Sequence, residues 1–300
     1  MTIVPAKDGV EFINIYSKGR TNLGRALTNM FQFTFEYNGC TFHSVEQAWH
    51  YFKFLDINPL VAQHILSLEN SYDCLKYARA NSVPETVAFV QTDAFRNRIK
   101  DVIATRLQAD NALRVQLKNS VLPFKHYFVY GADAVRDQSD KYSWLIQIFE
   151  DLRTELQFEY LDELLSKYGS LCYNMQTAPT NAVYVGRPKS GTKSPYGNPF
   201  PISAKIKALK GIDDHTFDKD VASSVMKYRQ YLAKEIQSNP KNWYQHLQHI
   251  KGQPLKCFCT NGTESREHGA RFCHSLILAQ FANNCDEIYE ALRLNVNNNC

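Results

Sequence analysis

No stretch of the 300-residue chain approaches the ~18 consecutive apolar residues that a membrane span needs, so a transmembrane helix is excluded. The amino-terminal MTIVPAKDGVEF lacks the apolar core of a signal peptide, and a cytoplasmic protein with no membrane partner is expected. There is no internal repeat, no low-complexity segment, and no Cys-x-x-Cys pair among the eight cysteines. In a reducing compartment that cysteine usage argues against a disulfide framework and leaves the thiols reduced, buried, metal-bound or reactive. What the chain does have is apolar bulk: 44% hydrophobic residues, with 18 Phe and 17 Tyr, enough to build a core and too much for a disordered chain. Its length favours two domains over one.

The net charge of +4 conceals an asymmetry. Residues 1–165 carry 17 Lys and Arg against 20 Asp and Glu, a balance of −3, whereas residues 166–300 carry 17 against 10, a balance of +7. A basic second half suits a phosphate-bearing partner, and equally a solvated lysine-rich surface.

The patterning predicts an α+β, mostly helical domain over 1–166, a linker over 167–181, a basic α/β domain of nucleotide-binding-like layout over 182–285, and a tail over 286–300. EFINIYSK (11–18) and FQFTFEY (31–37) alternate as strands do, and beyond Thr41 the first domain reads as helix, at 60–68, 71–80, 93–107, 109–119 and 143–166. The second domain reads as a strand at 182–186, helices at 218–237 and 242–249, a strand at 254–259 and a helix at 272–283.

The most informative segment of the first domain is 42–54. Ser44 and Gln47 fit a capping box that opens a helix. Glu46 falls in its first turn, where the unpaired amides and the helix dipole favour a carboxylate. At 3.6 residues per turn His50 and Lys53 follow Glu46 along one face. That face is either a solvated polar stripe or a catalytic one.

The run INIYSKGRTNLGRALTNMFQFTFEYNGCTFHSVEQAWHYFKF (13–54), with weaker continuation through 95–107 and 145–156, resembles the NADAR superfamily of YbiA-like N-glycosidases. The resemblance spans about residues 11–160. It implies an N-glycosyl hydrolase that removes ADP-ribose from modified guanine bases, reversing ADP-ribosylation and serving in phage counter-defence. It also implies as alternatives an N-glycosidase of phosphoribosylated riboflavin-pathway intermediates, and an inactive sensor of ADP-ribose or a related nucleotide. Carried over by position, the catalytic set is Glu46, Lys53 and Asp133, with Asp137 and Asp140 as other choices because the family's Asp-x-x-Trp-Gly segment is degraded here. The substrate cradle is Tyr16, Ser17, Lys18, Arg25 and Asn29, with His50, Trp49 and Phe95 alongside, Phe95 standing where the family usually has Trp. No cofactor is implied; the partner is ADP-ribosylated nucleic acid or nucleotide.

Cleaving a carbon–nitrogen bond at an anomeric carbon passes through an oxocarbenium-like transition state. A carboxylate stabilises that charge and orients water, while a lysine protonates the leaving group or attacks a ring-opened sugar as a Schiff base. Glu46 and Lys53 supply both groups, unless they form a mere ion pair.

The second domain carries Val185-Gly186-Arg187-Pro188, Gly197-Asn198-Pro199-Phe200 and Cys257-Phe258-Cys259 with a distant Cys273-His274, resembling an uncharacterised family of phage and bacterial proteins over about 182–283. Arg187, Gly197 and Asn198 form either a rigid ligand-binding loop or a structural strand-to-helix loop. Cys257, Cys259, Cys273 and His274, with His268 between, are weak zinc candidates, and buried thiols are the preferred reading. On a helix, adjacent Cys273 and His274 are expected to point about 100° apart.

Overall fold

The computed structural model describes residues 3–130, 134–187, 194–200, 214–257 and 272–297. The chain is α+β and divides into two compact units, Met1–Arg153 and Thr154–Cys300.

The first unit holds strands β1 (Ile13–Asn14), β2 (Phe35–Tyr37), β3 (Cys40–Phe42), β4 (Phe124–Lys125), β5 (Tyr127–Tyr130) and β6 (Ala134–Asp137). Its helices are α1 (Asn22–Ala26), α2 (Val45–Phe54), α3 (Pro59–Leu66), α4 (Ser71–Ala80), α5 (Pro84–Phe89), α6 (Asp93–Ala109), α7 (Asn111–Asn119) and the start of α8 (Ser143–Tyr168). β1 pairs in parallel with β4, and β2–β3 and β5–β6 are antiparallel hairpins. The expected strand 11–18 contracts to two residues that pair with β4, the second of them Asn14. Its side chain donates to the Tyr127 carbonyl at 3.1 Å and accepts from the Tyr127 amide at 3.0 Å, standing in for a ladder neighbour. The expected strand 31–37 keeps its last three residues, which turn at Asn38 and Gly39, both at positive φ, into β3. Asn-Gly at positive φ is the type I′ pattern that matches strand twist.

Residues 124–125, 127–130 and 134–137, in the part of the first domain expected to be helical, are instead β4, β5 and β6, with Tyr127 buried against Phe12 and Ile3. The helices are punctuated by side-chain caps: Thr21, Ser44, Asn58, Asn70, Thr92 and Asp110 each accept an amide at the start of α1, α2, α3, α4, α6 and α7. One apolar cluster joins Phe54 of α2, Val61, Ala62 and Ile65 of α3, and Cys74 and Ala78 of α4. Phe95, Ile99, Val102 and Ile103 of α6 are buried as well.

The second unit comprises the rest of α8, β7 (Cys172–Asn174), β8 (Val183–Tyr184), α9 (Asp214–Ser238), α10 (Pro240–Ile250), β9 (Leu255–Cys257), α11 (His274–Asn283) and α12 (Cys285–Asn297). β9 lies between β7 and β8, parallel to both, so all three carboxyl ends meet at one edge. In open α/β sheets that edge is where ligands bind. Residues 167–181, expected to link two domains, therefore contribute β7 to the sheet. Residues 286–297, expected as tail, form most of α12. Ile288, Tyr289 and Leu292 line a small apolar crevice with Leu247 and Tyr244, and Asp286 binds Tyr244, Gln248 and Lys251.

Candidate active site

α2 positions the first candidate cluster. Ser44 caps it by accepting from the Gln47 amide at 3.1 Å, as the sequence predicts. Gln47 reaches back one residue further than a capping box requires, accepting from the His43 amide at 2.7 Å, while its amide nitrogen donates to the carbonyls of Ile65, Leu66 and Leu68. That anchors the first turn of α2 to the end of α3 and the loop after it. The Glu46 amide donates to the Asn29 carbonyl, so the candidate cradle residue Asn29 meets the first turn of α2 through its backbone.

His50 Nε2 donates to Glu46 Oε1 at 3.0 Å, and both side chains are largely withdrawn from solvent. The other ring nitrogen, Nδ1, is buried with no hydrogen-bond partner. Lys53 donates to Ser82 Oγ and sits over the Phe54 ring. No ion pair joins Glu46 to Lys53 among the described residues. Burial pushes the Lys53 amine below its ordinary value. Burial, and after it the charges of Glu46 and Asp73, push the Cys74 thiol up to about 11, which puts the Glu46 carboxylate within electrostatic reach of the core under α4.

Trp49, one turn from Glu46, stacks on Trp144 at the start of α8, with centroids 5.5 Å apart and planes at 29°. Arg96 lies over Trp144 at 5.5 Å. Sequence reading missed Trp144, whose partner is remote in the chain. Phe95 is fully buried, with its ring edge-on to Trp49 and Phe89, so it backs Trp49 and offers no face to a base. Tyr16 is half-buried and edge-on to Phe128, and Ser17 and Lys18 are exposed. Arg25 donates to the carbonyls of Gly19 and Arg20 and to Asn22 Oδ1, which makes it the brace of its own loop.

Asp133 lies outside the described residues. Of its alternatives, Asp140 is exposed, and Asp137 accepts from the Ser139 amide at 2.9 Å. Burial works to raise the Asp137 carboxyl, but bonds from Ser139 and the charge of Lys125 outweigh it and hold it below the usual carboxylate range.

In the second unit Arg187 and the Gly197-Asn198 loop come together: Arg187 Nε donates to the Asn198 carbonyl at 2.7 Å. A Cβ on Gly197 would stand 3.2 Å from Arg187 Cα. Asn198 itself is buried and fully engaged, donating to Ser224 Oγ and accepting from the Phe200 amide. It is a structural residue, and the exposed Arg187 is the group of this pair that faces solvent.

Cys257 ends β9, Cys273 caps α11 and His274 opens it, and their sulfur and nitrogen atoms all lie within 4.8 Å of one another. The expected divergence of Cys273 and His274 does not occur, because Cys273 precedes the helix with extended backbone (φ −137°, ψ 149°) and its Sγ comes to 3.6 Å from His274 Nδ1. Cys259 and His268 lie outside the described residues.

Residues 172–284 match a family described as a domain of unknown function, DUF4326. The matched residues lie within the second unit. Among solved structures, the NMR structure of the E. coli protein YbiA is similar at 16% identity and a TM-score of 0.40, covering 53% of this chain and 96% of that one. No curated protein matches the chain.

Proposed function

We propose that the first unit is an N-glycosyl hydrolase that removes ADP-ribose from modified guanine bases in nucleic acid. One observation carries the reading: a single face of α2 holds a carboxylate oriented by a buried imidazole, an amine shifted toward its neutral form, and an indole stacked on a second indole. The resemblance of residues 13–54 to NADAR motifs supports the reading of that face as catalytic.

In this reading Glu46 lies beside the anomeric carbon. Its charge stabilises the developing oxocarbenium ion and orients the attacking water, with His50 fixing the carboxylate through Nε2. Lys53, desolvated and held by Ser82, protonates the leaving nitrogen, or adds as the free amine to the ring-opened sugar. Trp49, supported by Trp144 and Phe95, supplies the stacking face for a base that must leave its duplex to enter. Residues 166–300, with their balance of +7 and Arg187 exposed, raise affinity for the polyanion.

The test is incubation of the purified full chain with guanine-ADP-ribosylated DNA, with the free ADP-ribosylated nucleoside and with a phosphoribosylated pyrimidine, reading released ADP-ribose or ribose phosphate. Release from DNA that falls steeply with salt supports the reading. Turnover of the phosphoribosylated pyrimidine alone assigns the site to small-molecule metabolism, and binding without release makes it a sensor.

A further inference from the structure

We infer that the second unit holds a zinc ion on Cys257 Sγ, Cys273 Sγ and His274 Nδ1. This assignment is independent of the glycosidase reading, since all three residues lie in the other unit.

The tautomer comes first. His274 Nε2 lies 2.9 Å from the Val185 carbonyl oxygen, which can only accept, so Nε2 bears the proton and the neutral ring presents its lone pair at Nδ1. An imidazole whose second nitrogen is tied to a backbone carbonyl is the usual arrangement of a metal-ligating histidine. That lone pair faces two sulfurs at once, Cys273 at 3.6 Å and Cys257 at 3.8 Å. With zinc–sulfur bonds of about 2.3 Å and a zinc–nitrogen bond of about 2.05 Å, a tetrahedral site has a sulfur–nitrogen edge of about 3.6 Å. The two observed separations thus equal that edge to within a few tenths of an ångström, so one cation can sit within bonding distance of both sulfurs and the nitrogen.

The helix terminus stabilises the thiolate that forms when zinc displaces a thiol proton. Cys273 Sγ occupies the N-cap of the ten-residue helix α11 and accepts from the Ser275 amide at 3.5 Å, at the end of a helix where negative charge is stabilised. All three ligands are buried, and the Tyr228 ring closes one side of His274, edge-on at 5.1 Å. Two thiolates and an imidazole are a donor set that zinc takes in preference to harder cations. Binding releases the two thiol protons to solvent, so zinc uptake acidifies an unbuffered solution.

The position also makes structural sense. Cys257 ends the central strand β9, Val185 directly follows β8, and Cys273 and His274 start α11. One ion at the carboxyl edge of the sheet fastens the exits of two parallel strands to the helix that packs behind them. The sequence names these three residues as weak zinc candidates and prefers buried thiols, because the long connection between Cys257 and Cys273 does not show that their sulfurs meet.

The test uses the full chain, purified without chelators. Elemental analysis should find about one zinc per chain, falling at least about tenfold in Cys257→Ser and Cys273→Ser and unchanged in Cys285→Ser, a buried thiol outside the site. Should the serine variants fail to fold, the wild-type chain loaded with cobalt(II) decides: tetrahedral ligand-field absorption with near-ultraviolet thiolate-to-cobalt charge transfer supports the site. Wild-type chain with well under one metal and no such absorption overturns it, as do a Cys257–Cys273 disulfide in a non-reducing peptide map and a Cys257→Ser variant with full zinc content.

Discussion

Glu46 and His50 form a hydrogen-bonded pair one turn apart on α2, with Nε2 and Oε1 at 3.0 Å and the remaining imidazole nitrogen buried without a partner. The pair aims the carboxylate. Glu46→Gln preserves shape and hydrogen bonding but removes the charge, so release of ADP-ribose should fall by roughly 10²-fold or more with ligand binding and melting temperature little changed. His50→Gln should cost less, because it disturbs the carboxylate's aim and not its charge. Single-turnover rates check both, and a Glu46→Gln variant retaining more than about a tenth of wild-type activity moves the catalytic role elsewhere.

Lys53 bonds to Ser82 and not to Glu46, and burial lowers its amine. A depressed amine is a better nucleophile and a better acid than a solvated lysine. Lys53→Ala should abolish turnover, and Lys53→Arg should fail to restore it because a guanidinium stays charged. If the amine adds to the ring-opened sugar, cyanoborohydride should trap an ADP-ribosyl adduct on Lys53, found by peptide mass spectrometry. Full activity in Lys53→Arg would reduce the residue to a charge.

Trp144 reaches Trp49 from the far end of the first unit and stacks on it. If this pair holds the base, Trp144→Ala should raise KM by about tenfold and leave kcat within a few-fold, since one base stack is worth ~1–3 kcal/mol. Trp144→Phe should recover most of the loss. An unchanged KM would make the stack a packing feature alone.

What the sequence made legible was local. The Ser44 cap, the α2 face and the extents of α3, α4, α6 and α7 all follow from residues within a turn or two of each other. Asn38-Gly39 was equally local and marks the β2–β3 hairpin, but the helical pattern just beyond Thr41 obscured it. What stayed hidden was pairing at a distance. β1 with β4 and β7 with β9 are strands of two or three residues, too short for alternation to show. Arg25 and Asn198 show the same difficulty: a polar side chain beside a glycine looks the same in sequence whether or not it braces its own loop, and in the structure Arg25 donates to the Gly19 carbonyl and Asn198 accepts from the Phe200 amide.

Gly24 backs α1 directly onto β1. A Cβ there would stand 2.2 Å from the Asn14 carbonyl oxygen and 2.8 Å from Thr21 Oγ1, and neither a strand carbonyl nor a helix cap can withdraw cheaply. Gly24→Ala should therefore destabilise the first unit by about 1–3 kcal/mol or more, despite the higher helix propensity of alanine. Urea unfolding followed by tryptophan fluorescence measures it, and a neutral or stabilising effect would mean that α1 can move away from β1.

His126 links stability to pH. Burial lowers its imidazole below the ordinary value, partly offset by the bond in which Nδ1 donates to the Ile15 carbonyl at 2.7 Å and by the charge of Asp137. The rings of Phe128 and Tyr142 stand edge-on to it. Between the folded value and the unfolded one of about 6.5, the unfolded chain binds more protons than the folded one. Stability therefore rises with pH across that window, is fully present above about 6.5, and is lost as pH falls through the folded value. His126→Gln keeps a donor for the Ile15 carbonyl but cannot titrate, so its stability should fall less than the wild type's between about pH 7 and pH 5. Two of the three tryptophans, Trp49 and Trp144, lie in the first unit, which makes fluorescence-monitored urea unfolding at the two pH values a suitable measurement. An equal acid-side loss in wild type and variant would place the pH sensitivity in other groups.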